Sequence, residues 1–122
     1  MSTASHLALG EHGEDLAVRA LEREGYAILA RRYRVRAGEI DVVALDGDCL
    51  AFVEVKTRRG AECGDGADAV TPRKRRRIAA VAADFLARHH VRATSCRFDV
   101  VSVAVVDGAP RVDIIRNAFD AM

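Results

Sequence analysis

The alternation of hydrophobic and polar positions predicts two helices and five strands. Residues 6–24 carry apolar side chains at helical spacing, and Gly25 is a suitable helix stop. Strands are predicted at 26–34, 39–45, 50–57, 97–106 and 111–116. Thr71-Pro72 is a typical helix start, with threonine as the N-cap and proline in the first turn, so a second helix is predicted to extend to about residue 90.

This order of elements, αβββαββ, predicts an α/β fold with a mixed five-stranded sheet flanked by helices. With 122 residues, the chain is expected to form one domain, 1–122. The strands at 39–45 and 50–57 are apolar on both faces, with Ile40 and Val42 expected on one and Val43 on the other, so they are predicted to be central. Asp46-Gly47-Asp48 predicts a hairpin between them.

Composition favours a globular protein outside the membrane and exported classes. Half of the residues are hydrophobic and 30% are charged, which argues against disorder. The longest nearly apolar stretch, 78–87, is too short to span a membrane, and the first nine residues contain no lysine or arginine, so no signal peptide is expected. The three widely spaced cysteines indicate reduced thiols, and we therefore expect a cytoplasmic protein.

Four charges interrupt the two central strands: Glu39, Asp41, Glu54 and Lys56. If the hairpin closes at Gly47-Asp48, Asp41 faces Glu54 and Glu39 faces Lys56. If the loop shifts by one residue, Asp41 becomes a diagonal neighbour of Glu54. In both cases period-two alternation predicts all four charges on one face.

Two carboxylates this close require a shared proton or a cation between them. Mg²⁺ favours sites with one or two carboxylates, waters and phosphate oxygens, and Lys56 would lie beside the metal-bound water. The alternative is a purely structural network, in which Glu39 and Lys56 form a salt bridge and the other acids are solvated.

Each helix adds one charged residue on its apolar face. Glu14 lies in the middle of the inward face of the first helix and should point at a partner; alternatively it is exposed, or paired with an arginine. Lys74 lies on the apolar stripe of the second helix, one turn before Ile78. Lys56 and Lys74 are the two lysines among 19 basic residues, and lysine is the compact cation whose pKa shifts readily.

The formal net charge is +1, but the basic residues are clustered. A looser run extends over 31–36, and an unbroken run occupies the start of the second helix: Arg73, Lys74, Arg75, Arg76 and Arg77. Cations at a helix N-terminus oppose the helix dipole, so helix stability does not explain them. An approaching phosphate backbone would explain them, and a solvated basic face is the alternative.

Asp99 lies within an apolar strand and needs a partner. It either supports the charged site from a neighbouring strand or pairs with Arg97 or another arginine. Residues 60–69, with three glycines, are predicted to form a flexible loop, and its segment 63–68 is a candidate substrate clamp.

These residues resemble known patterns. Asp41 followed by Glu54-Val55-Lys56 resembles the signature of the restriction-endonuclease-like, or PD-(D/E)xK, nuclease superfamily, with Ile40 where the superfamily name has proline. Five blocks in order resemble the YraN-like uncharacterised protein family: Gly13-Glu14-Asp15-Leu16-Ala17, Gly38-Glu39-Ile40-Asp41, Phe52-Val53-Glu54-Val55-Lys56-Thr57-Arg58, Val70-Thr71-Pro72-Arg73-Lys74 and Arg97-Phe98-Asp99-Val100-Val101. That family is similar in its core to archaeal Holliday-junction resolvases.

The resemblance implies a restriction-endonuclease-like fold and a role for each site residue. Asp41 and Glu54 would be metal ligands, with the Val55 carbonyl as a third. Lys56 would orient or activate the attacking water, and Glu14 would complete the catalytic set, with Glu39 in support. Lys74 would contact the scissile phosphate or the backbone. Together with the basic run, the candidate nucleic-acid-binding residues are Arg58, Arg59, Arg73, Lys74, Arg75, Arg76 and Arg77.

We therefore expect a Mg²⁺-dependent nuclease, with Mn²⁺ as a substitute, that acts on DNA. Branched, damaged and single-stranded DNA are the candidate substrates. The alternatives are a non-catalytic nucleic-acid-binding module and a nuclease-fold subunit of a larger DNA-processing complex. The resolvase resemblance adds a homodimer to the partners to be considered, beside a DNA-processing protein.

Overall fold

The computed structural model describes residues 2–59 and 70–120, and the side chains of 12–58 and 70–120. It confirms the order αβββαββ, with the elements α1 (Ser2–Arg23), β1 (Ala27–Val35), β2 (Gly38–Asp46), β3 (Cys49–Arg59), α2 (Pro72–Arg88), β4 (Ser95–Val106) and β5 (Ala109–Phe119). Most strands are a few residues longer than predicted, because pairing continues beyond the residues that alternate. The predicted clamp loop lies outside the described residues.

The five strands form one mixed sheet in the order β1-β2-β3-β4-β5. Neighbours run antiparallel except β3 and β4, which are parallel and are separated in the chain by α2. In the hairpin, Asp46 pairs with Cys49 and Val42 with Val53, which is the register expected for a loop at Gly47-Asp48. That register directs Asp41 and Glu54 towards each other at the open end of the hairpin.

Both faces of the sheet are covered, as the apolar character of β2 and β3 predicted. On one face α2 packs against the sheet through Ile78, Val81, Ala82 and Phe85, which meet Val43, Leu50, Phe52 and Phe98. On the other face α1 contributes Ala17, Val18 and Leu21, which meet Val42, Ala51, Val53 and Val101. The charged end of the hairpin therefore lies between two helix-covered layers.

The predicted alternation along β2 is wrong at Ile40. Ile40 belongs to the cluster under α2 together with Val43, whereas Val42 packs under α1. The neighbouring strand is irregular at the same level, because Arg32 has a φ of 53°. Glu39 forms an ion pair with Arg34 of β1 at 3.3 Å. Its partner is therefore Arg34 and not Lys56, the residue that the hairpin register placed opposite it.

Neither α1 nor α2 has the length and apolar character of a membrane-spanning helix, over the residues that the structure describes.

Candidate functional site

Asp41 and Glu54 meet where β2 and β3 separate. Val42 and Val53 are the last paired residues of this ladder. Asp41 and Glu54 are the residues beside them at the open end of the hairpin. Beyond that pair, the N–H of Val55 donates to Oδ2 of Asp41 over 2.7 Å. The backbone of β3 therefore holds the Asp41 carboxylate beside Glu54, as the hairpin register predicted.

The two acids are electrostatically coupled. Burial, the negative charge of Glu54 and a hydrogen bond with Glu54 raise the pKa of Asp41 to about 7, while the Val55 N–H acts in the opposite direction. The charge of Glu14 makes a smaller contribution and also raises this pKa. In the absence of a cation, the fold thus favours a proton on Asp41, one of the two outcomes expected for opposed carboxylates.

Both lysines of the chain converge on Glu54. Lys74 Nζ lies 2.6 Å from Glu54 Oε1, and Lys56 Nζ lies 3.9 Å from the same oxygen. Burial lowers the pKa of Lys56, and the nearby Lys74 ammonium lowers it further. Burial also lowers the pKa of Lys74, but its hydrogen bond with Glu54 and its other polar contacts outweigh burial, so that pKa is raised.

Glu14 reaches this region from α1. The preceding Gly13 allows the close approach of helix and strand, since a Cβ there would lie 2.3 Å from Cγ2 of Thr57 on β3. Glu14 is buried, and its partners are two arginines of β1. Nη2 of Arg31 lies 3.1 Å from Oε1, and Nε of Arg32 lies 3.2 Å from Oε2. Of the predicted environments for Glu14, pairing with arginine is the one found.

The start of α2 confirms the predicted cap. Thr71 is the N-cap, and its Oγ1 accepts the N–H of Lys74 over 3.2 Å, with Pro72 in the first turn. Lys74 is half-buried and its ammonium group contacts Glu54. Its place on the apolar stripe predicted a side chain that projects along the sheet.

The arginines of the basic run have different surroundings. Arg75 donates to the carbonyl of Val70 over 2.9 Å, and its guanidinium lies over the Phe119 ring. The stem of Arg77 lies against Gly38, where a Cβ would come within 2.9 Å of it. The side chains of Arg73 and Arg76 are exposed and form no ion pair within the described part of the chain. These two are the best placed for an outside anion.

The roles predicted for the site residues remain predictions, those of Arg58, Arg59 and the Val55 carbonyl among them. The Arg59 side chain lies outside the described side chains, and Arg58 is half-buried at the end of β3. The structure gives the Val55 N–H a partner, but it assigns no site contact to the Val55 carbonyl.

Asp99 belongs to a separate buried network. Its carboxylate accepts hydrogen bonds from the Tyr26 hydroxyl at 2.8 Å, from Nε of Arg97 at 2.9 Å and from the N–H of Asn117 at 2.9 Å. Arg97 also pairs with Asp46 at the hairpin turn. Asp99 therefore pairs with Arg97, the second of the roles considered for it.

The donor set fits one hard divalent cation in a half-open site. Asp41 and Glu54 supply two neighbouring carboxylates, and the raised pKa of Asp41 shows that added positive charge would stabilise the pair. No group of three or more histidine, cysteine or acidic side chains able to hold a metal occurs among the described residues. Water and substrate oxygens would have to complete the coordination, which is usual for Mg²⁺.

Comparison with known proteins identifies the family. The model of the uncharacterised protein family UPF0102 matches residues 13–103. This chain belongs to the UPF0102 family. The matched range contains Glu14, Asp41, Glu54, Lys56 and Lys74, and it confirms the YraN-like resemblance of the five ordered blocks.

Other UPF0102 proteins are similar over nearly their whole length. One from Rhodococcus opacus (strain B4) is 47% identical over 117 residues, which cover 95% of this chain and 99% of the relative. One from Symbiobacterium thermophilum is 50% identical over 114 residues, 93% of this chain and 97% of the relative. One from Parafrankia sp. (strain EAN1pec) is 51% identical over 112 residues, which cover 91% of this chain and 95% of the relative.

The sequence did not identify Arg31 and Arg32 as the partners of Glu14. The available signal was a loose arginine run close to an inward-facing carboxylate. The assignment itself depends on the β1–β2 register, which places Arg31 opposite Val42, and on the unusual backbone of Arg32.

Proposed function

We propose that this UPF0102 protein is a Mg²⁺-dependent nuclease that hydrolyses phosphodiester bonds of DNA. The observation that carries the proposal is the convergence of Asp41 and Glu54 with both lysines of the chain at the open end of the hairpin. The resemblance of Asp41…Glu54-Val55-Lys56 to the PD-(D/E)xK signature supports it. The parallel β3–β4 pair, with α2 between the two strands in the chain, is consistent with a restriction-endonuclease-like core.

Asp41, Glu54 and the Val55 carbonyl would hold the cation. When bound, Mg²⁺ would lower the pKa of a water molecule and neutralise charge on the phosphate. Since metal ligands must be deprotonated, Asp41 would have to release its proton. Lys56, whose pKa is lowered, is suited to orient the attacking water or accept a proton from it. Lys74 would contact the phosphate beside Glu54.

The substrate would lie along the start of α2. Arg73 and Arg76 are exposed beside Lys74, and a helix N-terminus also offers backbone N–H groups to phosphates. Such contacts position a nucleic acid without reading its sequence. They suit a substrate recognised by shape, so branched, damaged and single-stranded DNA are the first candidates.

Cleavage of defined DNA structures tests the proposal. Purified protein with Mg²⁺ or Mn²⁺ should cleave at least one labelled substrate among single-stranded, duplex, flapped and four-way DNA. EDTA should abolish cleavage, and Glu54→Gln should reduce it by at least about a hundredfold, as expected for an essential catalytic group. Glu24→Gln, with the same change of charge just after the end of α1, should retain it. The proposal is wrong if no substrate is cleaved or if Glu54→Gln cleaves normally.

One observation favours a second candidate, a non-catalytic nucleic-acid-binding module or a nuclease-fold subunit of a DNA-processing complex. Lys74 contacts Glu54 at 2.6 Å and Asp41 favours a proton, so the site is neutralised without a metal. This candidate predicts salt-dependent DNA binding without cleavage in the same assay. Capture of a DNA-processing partner by a protein that does not bind DNA alone would favour the subunit.

A further inference from the structure

Arg31 and Arg32 are consecutive residues of β1 that reach the same carboxylate. In a regular strand, consecutive side chains point to opposite faces. Here Arg32 has a φ of 53°, a left-handed conformation that is unfavourable for arginine. Ala30 and Tyr33 both pack on the α2 side, while both arginines contact Glu14 of α1. The backbone of β1 is thus distorted at the point that brings two guanidinium groups together.

The guanidinium groups form an open pair around a buried acid. Arg31 contacts Oε1 of Glu14 through Nε at 3.2 Å and Nη2 at 3.1 Å, and Arg32 contacts both oxygens through Nε at 3.3 and 3.2 Å. The side chain of Glu14 is 12% exposed, whereas those of Arg31 and Arg32 are 39% and 56% exposed. Arg31 also contacts the exposed Asp15 at 2.8 Å. Two planar donors on one oxyanion are an arrangement that suits a phosphate as well as a carboxylate.

The arginine pair borders the proposed active site. The β1–β2 register places Arg32 at the level of Asp41, since Arg31 is opposite Val42 and Tyr33 is opposite Ile40. The charge of Glu14 contributes to the raised pKa of Asp41, so the group held by the arginines is electrostatically linked to the carboxylate pair. In sheet order the arginines lie on β1, Asp41 on β2 and Glu54 on β3.

We propose that Arg31 and Arg32 bind a phosphate group of the nucleic-acid backbone, and that Glu14 occupies this pair in the unbound protein. The inference rests on the proposed function, because the ligand is a phosphodiester of the same substrate. Glu14 then competes with phosphate, and its removal strengthens binding. If the ion pairs of Glu14 with the two arginines were purely structural, removal of Glu14 would not strengthen DNA binding.

DNA binding without metal tests the inference. Fluorescein-labelled duplex and four-way DNA are titrated in EDTA at several salt concentrations, with fluorescence anisotropy as the readout. Glu14→Gln should tighten binding about two- to fivefold, the range for one partly exposed ion pair. Arg31→Gln/Arg32→Gln should weaken binding relative to the unmodified protein and abolish the gain in the triple variant. Glu24→Gln, which removes one of the two partners of Arg116, at 3.8 Å, is the charge-matched control.

A second measurement requires no variant of Glu14. Inorganic pyrophosphate is titrated into the unmodified protein, and the Nε–Hε resonances of the arginines are followed by NMR. Saturable shifts are expected at Arg31 and Arg32. Arg111, an exposed arginine paired with Asp113 on β5, should shift much less.

The inference is overturned if Glu14→Gln binds DNA no better than Glu24→Gln, or if its gain persists without the two arginines. It is also overturned if pyrophosphate shifts Arg111 as strongly as Arg31 and Arg32. Its failure is separable from that of the nuclease proposal. If the variants bind DNA as predicted but no DNA is cleaved with Mg²⁺, only the nuclease proposal is rejected. If DNA is cleaved in a Glu54-dependent manner but Glu14→Gln does not bind more tightly, only the proposal that Arg31 and Arg32 bind phosphate is rejected.

Discussion

At the scale of single residues, folding and metal binding favour different protonation states of the Asp41 carboxyl group. Burial and the neighbouring Glu54 raise its pKa to about 7, so the metal-free fold favours the neutral acid. A bound cation requires the ionised form. Replacing Asp41 should therefore have opposite effects on stability and on metal binding.

Asp41→Asn should remove a pH dependence of stability. The pKa of Asp41 is higher in the folded protein than in the unfolded chain, so its stabilising contribution is present below about pH 4 and is lost as pH rises to about 7. The unmodified protein should lose more stability between pH 5 and pH 8 than the variant does. Urea denaturation at both pH values, without divalent ions, measures this difference.

Addition of Mg²⁺ at pH 8 provides the control. It should raise the unfolding midpoint of the unmodified protein and leave that of Asp41→Asn unchanged, because only the native site binds the ion. Identical pH profiles for the two proteins would contradict the environment described for Asp41.

A second residue-scale prediction concerns Tyr26, whose hydroxyl donates to the buried Asp99 and accepts from Arg97. Tyr26→Phe should lower the free energy of unfolding by about 1–2 kcal/mol, since it removes one of the hydrogen bonds of the buried Asp99 and one of those of Arg97. The matched control is Tyr33→Phe, whose hydroxyl donates to Asp84 in a less buried setting. A larger loss for Tyr33→Phe, measured by urea denaturation, would contradict the importance of the Asp99 network.

The carboxylate pair was predictable from the sequence, but the partners of Glu14 were not. The hairpin turn and the alternation of side chains suffice to place Asp41 beside Glu54. The partners of Glu14 depend on how β1 pairs with β2 and on the φ of Arg32, a residue type that rarely adopts a left-handed backbone. Ile40 departs from the predicted alternation at the same level of the sheet, since its neighbour on β1 is Tyr33, the residue after Arg32.

At the scale of elements, the approach of α1 to β3 places Glu14 near the site. Gly13 lies against Thr57, whose Cγ2 occupies the space of a Cβ at position 13. A larger residue would have to move the helix or the strand. The separation of these two elements is therefore set by one glycine.

Gly13→Ala should destabilise the protein, with overpacking worth about 1–3 kcal/mol set against a smaller gain in helix propensity. In a Thr57→Ser background, which removes Cγ2, the same substitution should become neutral or stabilising. Urea denaturation of the four proteins gives the coupling between the two positions. Additive effects would contradict the contact between Gly13 and Thr57.

The existence of each element followed from the sequence, while its irregularities did not. Thr71-Pro72 specifies the start of α2 through a cap that the structure confirms. The distortion of β5 at Asn117, with a φ of 52°, places its N–H on Asp99. This contact joins residues from two strands, so neither the sequence around Asp99 nor the sequence around Asn117 predicts it.

At the scale of the whole molecule, the net charge of +1 conceals an uneven distribution. Ion pairs within the fold engage seven of the described arginines: Arg31, Arg32, Arg34, Arg88, Arg97, Arg111 and Arg116. Arg73 and Arg76 form no ion pair in the described part of the chain and are exposed at the start of α2. Fold class was predictable because it depends on the order of elements. The surface available to a ligand was not predictable, because it depends on which arginine and lysine side chains already form ion pairs within the fold.

Arg73→Gln/Arg76→Gln should weaken DNA binding and reduce the slope of log K against log salt by about two, one for each phosphate that the variant no longer neutralises. The matched control is Arg92→Gln/Arg111→Gln, which removes the same charge from exposed positions far from the start of α2 in the chain. Titrations at several salt concentrations measure both slopes. Equal slopes for the two variants would show that net charge, and not the start of α2, governs binding.

The central claim is that Asp41 and Glu54 hold a divalent cation. Anomalous diffraction from a crystal soaked in Mn²⁺ at pH 8, where Asp41 is ionised, tests it most directly. One strong peak is expected at about 2 Å from oxygens of both carboxylates. A map without a peak between them, with Lys74 still in contact with Glu54, would contradict it.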